Sequence, residues 1–347
     1  MYHFATLFDS NYLSRGLVLL DSLKKHSSMP FKLFVLCLDK ETEDYFYQNN
    51  YKEIEIITLT QLETWNKDLL IAKNNRSIVE YYFTLSPALP LYILENYPSI
   101  EHITSLDADI LFFNDPKLIF DKFKDFSIQI TPHKFTSNLK HLDIYGEFNV
   151  SFQSFRNDTT GKECLQWWLE KCLDWCYDRQ EGNRFADQKY LDSFEELFSK
   201  KIKILTEKGV GLAPWNVGQY QISKRENEVL VDDEKLIFYH YHHFRKFNKY
   251  LYTLGLYEYD ALKTISLSEI KMIYNPYIAA LQKKGGANDL NIKRIQSVKN
   301  VSALQFILNT SSIYFFLTNF ICFNFSGKKI KHTLSPYYIR LKKWQIF

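Results

Sequence analysis

Short apolar segments alternate with helical patterns through the first 110 residues, and this alternation restricts the fold more than any other feature. The segments that resemble buried strands span residues 4–8, 31–38, 53–58 and 102–106. Apolar residues at helical spacing fill the intervals at residues 15–25, 41–49 and 77–96. Strands that alternate with helices usually form a parallel sheet, because each helix carries the chain back before the next strand begins. The sequence therefore predicts an α/β protein with a mainly parallel, Rossmann-like sheet flanked by helices.

The composition is that of a globular protein: 347 residues, 46% hydrophobic and 24% charged. A chain of this length buries a sizeable core as one large domain or as one domain with an appendage. The net charge is only +3, whereas nucleic-acid-binding proteins usually carry a larger basic excess, so no nucleic-acid partner is expected. The first residues carry neither a basic nor a long apolar segment, which predicts no signal peptide and a cytoplasmic protein.

Three of the five cysteines, Cys164, Cys172 and Cys176, share one face of a predicted helix over residues 160–177. Four-residue spacing suits a metal ligand pair, but no second Cys/His pair follows at zinc-finger distance. Buried thiols without disulfides are the favoured interpretation.

Two carboxylates interrupt an apolar run at the end of the strand predicted at 102–106. Asp107 and Asp109 point to the same side if the backbone is extended, and neighbouring carboxylates repel unless a cation neutralises them. Such oxygen ligands suit Mg²⁺ or Mn²⁺, particularly where a diphosphate supplies further oxygens. A solvated strand end is the ordinary interpretation of a bare D-x-D tripeptide, but the apolar flanks on both sides favour the metal site.

The second half continues to mix strands and helices. Strand patterns cover residues 126–131 and 145–155, and a third strand predicted over residues 236–244 carries three histidines, His240, His242 and His243. Alternation along that strand would place His240 and His242 on one face and His243 on the other. The alternative is that all three histidines are structural or simply exposed.

An ordered series of short motifs runs through these segments: Asp9-Ser-Asn11-Tyr12, Arg76-Ser-Ile-Val-Glu80, Asp107-Ala108-Asp109, Gly146-Glu-Phe-Asn149, Asp187-Gln188 and His240. The series resembles nucleotide-sugar glycosyltransferases of the GT-A fold, and its layout is similar to glycosyltransferase family 8 and its bacterial surface-polysaccharide relatives. The resemblance covers about residues 2–245. It implies the GT-A sheet and a UDP-sugar donor whose diphosphate is held by Mn²⁺ or Mg²⁺.

The resemblance also implies roles for individual residues. Asp107, Asp109 and His240 match the metal ligands, and Ala108 lies between the two aspartates at the donor. Asp187 and Gln188 match the pair beneath the donor sugar, Asp187 bonding sugar hydroxyls and Gln188 lying near the anomeric carbon. Transfer would be retaining; an inverting reaction would need Asp187 as general base. A helix N-cap is the alternative role for Asp187.

The nucleotide would be held by the first loop. Asp9, Asn11 and Tyr12 match the positions that bind uridine, with Tyr12 lying flat on the base. The rival interpretation places Tyr12 in the core of so aromatic a chain. Arg76 is expected to contact the diphosphate or the donor sugar, and its alternative is an exposed residue at a helix start.

Further residues extend this prediction. Asn149 lies between apolar neighbours, where a side-chain amide is costly unless paired, and a sugar hydroxyl is the proposed partner. Trp215 and Asn216 are expected to form a platform for the acceptor, a buried Trp being the alternative. The resemblance implies that Lys246 contacts phosphate, with Arg245 competing because the surrounding motif is degraded.

The C-terminal region differs from the rest. Core patterns stop past about residue 250, so the prediction is a catalytic domain at 1–250 and a helical, aromatic and basic extension at 251–347. Residues 302–325 make a poor transmembrane span but, with the basic residues after them, fit an anchor at an anionic membrane surface. The alternative is a helix pair packed on the catalytic core.

The sequence thus predicts a metal-dependent glycosyltransferase that moves a hexose from a UDP-sugar to a cell-surface glycan or lipid-linked acceptor, as in lipopolysaccharide or capsule, at the inner face of the cell membrane. A sugar nucleotidyltransferase is excluded because residues 1–30 contain only Gly16, not a glycine-rich triphosphate loop. The alternative from another class is a non-catalytic carbohydrate-binding or assembly protein on the same fold.

Overall fold

The computed structural model describes residues 1–248 and 251–285, together with the strand residues 320–321, 341–342 and 345–346. The strands are β1 Tyr2–Phe8, β2 Phe31–Cys37, β3 Ile54–Thr58, β4 His102–Leu106, β5 Ile110–Phe112, β6 Ile128–Pro132, β7 Phe148–Arg156, β8 Ile202–Ile204, β9 Ile222–Arg225, β10 Glu228–Val231, β11 Glu234–Lys235, β12 Phe238–His240, β13 Arg245–Asn248, β14 Leu251–Thr253, β15 Phe320–Ile321, β16 Leu341–Lys342 and β17 Gln345–Ile346. The α-helices are α1 Leu13–His26, α2 Lys40–Asn49, α3 Leu59–Trp65, α4 Asp68–Asn75, α5 Ile78–Asn96, α6 Lys117–Phe120, α7 Thr159–Asp174, α8 Phe194–Phe198 and α9 Leu267–Lys284.

The central sheet has the strand order β3-β2-β1-β4-β7-β6-β8. β1 pairs in parallel with β2 and β4, β2 with β3, and β6 with β8, whereas β7 runs antiparallel to both of its neighbours. The predicted α/β architecture with a mainly parallel sheet is therefore confirmed. Because β1 lies between β2 and β4, the strand order reverses there, and the carboxyl ends of these strands meet at one edge.

Residues near the amino ends of α5 and α1 fix these two helices in place. Ser77 caps α5: its side chain accepts from the Glu80 N–H while the Glu80 carboxylate accepts from the Ser77 N–H, a reciprocal capping box. In α1, Gly16 allows close packing, since a Cβ there would lie 2.3 Å from the Phe8 ring. The amino end of α1 is thus held directly against the carboxyl end of β1, at the edge where the predicted nucleotide loop lies.

Residues of the segment 251–285 contribute to a buried core. Tyr252, Tyr274 and Tyr277 are buried in one apolar cluster with Tyr239 and Tyr241. The hydroxyl groups of Tyr239 and Tyr274 lie 2.8 Å apart, and the Tyr241 hydroxyl donates to the Ile273 carbonyl at 2.7 Å. The expectation that core patterns stop near residue 250 is wrong for residues 251–285, because aliphatic residues and tyrosines of this segment pack together in that cluster. The division into domains at 1–250 and 251–347 stays a prediction.

The predicted membrane-surface segment at 302–325 and the basic residues after it lie outside the described residues, except for a few strand positions. Among the helices that the structure describes, none has the length and apolar character needed to cross a membrane.

Candidate active site

The two aspartates of the D-x-D motif lie where β4 ends and β5 begins. β5 pairs with β12 in an antiparallel arrangement that sets His240 opposite Ile110. The Tyr241 N–H donates to the Asp109 carbonyl at 2.9 Å, which continues this pairing by one residue. A short two-stranded ladder therefore brings His240 from the second half of the chain to the D-x-D motif.

The three side chains converge. His240 Nε2 lies 3.2 Å from Asp109 Oδ1 and 3.5 Å from Asp107 Oδ2. One ligand atom from each residue lies within 4.8 Å of the others, which suits the donor set of a divalent cation. The His240 side chain is 3% exposed, Asp109 12% and Asp107 40%, so the cluster opens to solvent on the side of Asp107.

The pKa values of Asp107 and Asp109 are shifted in opposite directions. Burial raises the pKa of Asp107 to about 6, against the effect of His240, and the charge of Asp109 raises it further. Burial also opposes the charge of Asp109, but His240, by charge and hydrogen bond, and then Arg15 hold the pKa of Asp109 below its usual range. Burial lowers the pKa of His240, yet the two carboxylates raise it overall. The charge of each of these three groups therefore depends on the charges of the other two.

His242 and His243 follow a different path from the predicted one. β12 ends at His240 and the chain turns, with His243 at a φ of 58° in the left-handed region. The prediction of one strand over residues 236–244 is therefore wrong, and strand alternation does not place these side chains. The rings of His240 and His242 nevertheless lie 5.6 Å apart, and the His243 imidazole pairs with Glu258.

Asp187 is a buried carboxylate at the start of the 3-10 helix Gln188–Ser193. It occupies the N-cap position, but its side chain makes no capping hydrogen bond, and no hydrogen-bond partner for Oδ2 is found among the described residues. Burial raises the pKa of Asp187 to about 7; a hydrogen bond from Ser86 opposes this shift and the charge of Asp107 adds to it. A buried carboxyl with an unpartnered oxygen is ready to bind a polar ligand.

The Gln188 side chain packs closely against the backbone of Gly146. Gln188 Nε2 donates to the Tyr145 carbonyl at 2.9 Å. Gly146 has a φ of 134°, and a Cβ there would lie 2.9 Å from Gln188 Cγ. A glycine at this position therefore provides both the backbone conformation and the room that the Gln188 side chain needs.

Asn149 has its amide paired within the protein. Its Oδ1 accepts from the Ser151 N–H at 2.9 Å, and its Nδ2 lies 3.4 Å from His133 Nε2. Burial lowers the pKa of His133 to about 3, so the ring is neutral and its Nδ1 bonds the Glu147 carbonyl at 3.2 Å. Asn149 thus has partners without a sugar, and its donor-binding role stays a prediction.

The first loop places the predicted uridine-binding residues side by side. Asp9 accepts hydrogen bonds from the backbone and side-chain amides of Asn11, each at 3.1 Å. Tyr12 is 41% exposed, so the alternative that it belongs to the core is wrong. The guanidinium carbon of Arg15 lies 4.0 Å from the centre of the Tyr12 ring.

Arg76 and Lys246, which were predicted to contact the donor, form hydrogen bonds to backbone carbonyls of the protein. Arg76 donates to the carbonyls of Cys172 and Leu173 at the end of α7, each at 2.5 Å. Its side chain is partly buried, unlike the exposed helix residue of the alternative. Lys246 is buried, and its Nζ donates to the Gly285 carbonyl at 3.3 Å. Both roles at the donor stay predictions.

Trp215 and Asn216 lie inside the protein. The Asn216 side chain accepts from the Ala213 N–H and donates to the carbonyls of His133 and Gly211. The Trp215 ring is buried with its centre 5.4 Å from that of His240 and 5.1 Å from that of His133. These positions match the alternative of a buried Trp, and the acceptor platform stays a prediction.

Two residues beside this site were not predicted, Arg15 and His133. Arg15 stands in a run of α1 that is otherwise mostly apolar, and His133 follows directly on β6. A charged or titratable residue among core positions is the one sequence signal that would have marked them.

The fold and the cluster define an α/β protein with an acidic and histidine site at the carboxyl edge of its sheet. The chain belongs to the family of the Bacillus subtilis (strain 168) protein YfnF, described as uncharacterized, with 31% identity over 250 residues that cover 70% of this chain and 81% of YfnF. A second uncharacterized protein of that organism, YfnD, is 28% identical over 285 residues, which cover 81% of this chain and 89% of YfnD.

Among solved structures, the chain is similar to the galactosyltransferase LgtC in complex with donor and acceptor sugar analogs. The identity is 14%, the similarity covers 69% of this chain and 87% of that chain, and the TM-score is 0.48. The resemblance to glycosyltransferase family 8 stays a prediction. No protein-family model matches the chain.

Proposed function

We propose that the protein is a metal-dependent glycosyltransferase that moves a hexose from a UDP-sugar to a cell-surface glycan or a lipid-linked acceptor. The observation that carries this proposal is the convergence of Asp107, Asp109 and His240, whose ligand atoms lie within 4.8 Å of one another. In open α/β sheets, ligands bind beyond the carboxyl ends of the strands where the strand order reverses. That point lies here between β1 and β4, at the D-x-D motif.

Asp107, Asp109 and His240 would hold Mn²⁺ or Mg²⁺. Two carboxylate oxygens and one imidazole nitrogen fit such an ion, and the exposed side of Asp107 leaves room for further oxygen ligands. When bound, a divalent cation supplies positive charge that stabilises a departing diphosphate.

The first loop would hold the nucleotide. Tyr12 offers an exposed ring for the base, and Asp9 and Asn11 lie next to it with their side chains already ordered by mutual hydrogen bonds. Arg76 and Lys246 would reach the diphosphate or the sugar by exchanging the carbonyl hydrogen bonds that they make here. Those exchanges couple donor binding to the ends of α7 and α9.

Asp187 and Gln188 would act on the donor sugar. The unpartnered Oδ2 of Asp187 would accept a hydrogen bond from a sugar hydroxyl, which offsets the cost of its burial. The reaction proposed is retaining: the acceptor oxygen forms a bond to the anomeric carbon, the bond to the diphosphate oxygen breaks, and the acceptor proton passes to that diphosphate oxygen. Gln188, a neutral amide near the anomeric carbon, would position the sugar without moving a proton.

The acceptor class rests on composition. The aromatic and basic residues after position 300 suit the surface of an anionic membrane, where lipid-linked glycans are assembled. Membrane contact by this segment is part of the proposal.

The test is release of UDP from a panel of UDP-sugars with Mn²⁺, with Mg²⁺ and with EDTA. We expect release with at least one sugar and one metal, and its loss in EDTA. Release that EDTA leaves unchanged would contradict the metal site. UDP binding without release across the whole panel would favour the non-catalytic carbohydrate-binding or assembly protein.

A further inference from the structure

Arg15 is a buried cation to which the function proposed above assigns no role. The residue is only 3% exposed, at the amino end of α1. A buried guanidinium is costly unless hydrogen bonds and nearby groups replace its lost hydration. Its position beside the candidate site therefore calls for an explanation.

Arg15 joins two elements of that site. One guanidinium N–H donates to the Phe244 carbonyl at 2.8 Å, and the guanidinium carbon lies 4.0 Å from the centre of the Tyr12 ring. Phe244 lies on the turn that follows His240, and Tyr12 lies on the loop after β1. The two contacts tie the predicted base platform to the segment that carries the histidine ligand.

The backbone of Arg15 is itself held in place. Its N–H donates to the Tyr12 carbonyl at 2.9 Å in the first turn of α1. The next residue, Gly16, packs so closely on the Phe8 ring that a Cβ would lie 2.3 Å from it. The guanidinium therefore extends from a fixed point, as a residue that orients its neighbours must.

We propose that Arg15 is a positioning residue of the donor site, whose guanidinium holds the Tyr12 ring in the orientation on which a uracil base stacks. The inference rests on the proposed function, because it takes Tyr12 as the base platform. A cation on one face of a phenol ring stabilises the ring electrostatically, and Tyr12 stays 41% exposed with that face covered. A bound base would complete a stack of guanidinium, phenol and uracil.

The chain offers a matched control in Arg156. Its guanidinium donates to the carbonyls of Phe126 and Lys124 and lies 5.4 Å from the centre of the Phe123 ring. These are the same kinds of contact that Arg15 makes. Arg156 on β7 lies opposite His102, the first residue of β4, whereas Asp107 directly follows the last residue of β4. The control therefore lies at the other end of these strands from the candidate site.

The experiment measures uridine and UDP affinity by calorimetry in Mn²⁺ for the full-length wild type, Arg15→Gln, Arg15→Lys and Arg156→Gln. We expect Arg15→Gln to weaken uridine binding by about 3- to 10-fold, because the base platform is disturbed. UDP binding should weaken by at least that factor, because the charge of Arg15 also acts on Asp109. Arg15→Lys keeps the charge but not the planar fork, so its loss is smaller. Arg156→Gln is expected to lower the melting temperature and leave both affinities within about twofold of the wild type.

Three results overturn the inference. They are wild-type uridine affinity in a folded Arg15→Gln or Arg15→Lys protein, an equal loss in Arg156→Gln, and a loss for UDP that uridine does not share, which would place the effect of Arg15 at the metal and the diphosphate and not at the base. A wild-type protein that binds no UDP in Mn²⁺ is a different outcome, because it contradicts the proposed function itself.

Discussion

The Trp215 indole packs edge-on against the His240 imidazole, with ring centres 5.4 Å apart and planes at 83°. Both rings are buried, and the centre of the Trp215 ring also lies 5.3 Å from the centre of the His242 ring. The indole thus forms one wall of the pocket that fixes the orientation of the histidine. Loss of a side chain that orients a metal ligand typically lowers metal affinity by about 10- to 100-fold.

Replacement of Trp215 by Ala should therefore weaken Mn²⁺ binding by about 10- to 100-fold. It should also lower the free energy of unfolding by roughly 3–5 kcal/mol, since a large buried side chain is removed. Mn²⁺ titration followed by electron paramagnetic resonance and urea unfolding measure the two effects. Trp215→Phe keeps a ring against His240 and is the control. Unchanged Mn²⁺ affinity with a raised KM for the acceptor would instead support the predicted acceptor platform.

Asp109→Asn should abolish Mn²⁺-dependent UDP binding. Asp109 has the carboxylate whose pKa is held low, so it stays fully charged at neutral pH, and an amide carries no charge. Calorimetry with UDP in Mn²⁺ and in EDTA measures the loss. Asp115→Asn is the control, because Asp115 accepts from the backbone N–H groups of Ser28 and Lys117 and not from His240. Full activity in Asp109→Asn would refute the metal assignment.

Gln188→Ala should lower turnover by roughly 10- to 100-fold and leave UDP affinity within about twofold. The proposed contact of Gln188 is to the sugar and not to the nucleotide. Steady-state kinetics with the active UDP-sugar and calorimetry with UDP separate the two quantities. Gln166→Ala removes an amide that bonds Glu170 on the surface of α7 and should change neither. A variant that loses UDP affinity would place Gln188 at the nucleotide.

Asp187→Asn should change how stability depends on pH. The folded-state pKa of Asp187 is raised to about 7 by burial, above its ordinary value of 3.8. The folded protein thus binds the proton more tightly than the unfolded chain, so wild-type stability falls as the pH rises from about 4 to about 7. Asparagine does not titrate, so the variant should gain up to roughly 4 kcal/mol relative to the wild type across that window.

Urea unfolding at pH 4 and pH 8, without metal or nucleotide, measures this gain. Asp174→Asn, at a side chain that is 78% exposed, is the control for the loss of a surface carboxylate. A wild-type to Asp187→Asn difference that is constant with pH would show that Asp187 is charged and compensated in the folded protein.

Much of the first half could be predicted because local pattern and tertiary environment agree there. The strand predicted at 31–38 is β2 Phe31–Cys37, and the helix predicted at 77–96 is α5 Ile78–Asn96, which runs through two prolines. Buried parallel strands are apolar throughout, so their sequence signal is strong. α9 was not predicted as a separate helix, since it contains Pro276 and its buried face mixes two tyrosines with four aliphatic residues.

The motifs predicted which residues form the candidate site, but not how the fold brings them together. The order of motifs named Asp107, Asp109 and His240, and the structure brings the three side chains together. The pairing of β5 with β12 depends on contacts between distant parts of the chain, which no local pattern records. For the same reason the sequence could not decide between a buried Trp215 and an acceptor platform, and it did not indicate the contacts of Arg15 with Tyr12 and Phe244.

The buried tyrosines on either side of His240 determine how short a fragment of the protein can be. Tyr239 and Tyr241 flank His240, and their hydroxyls find partners on α9, in Tyr274 and in the Ile273 backbone. A polypeptide cut near residue 250 would lack α9, so both phenol rings would be exposed to water and their hydroxyl groups would lose these partners. His240, which lies between the two tyrosines, would then be held less rigidly. The smallest fragment that can be expected to keep a working centre must therefore extend at least through Lys284.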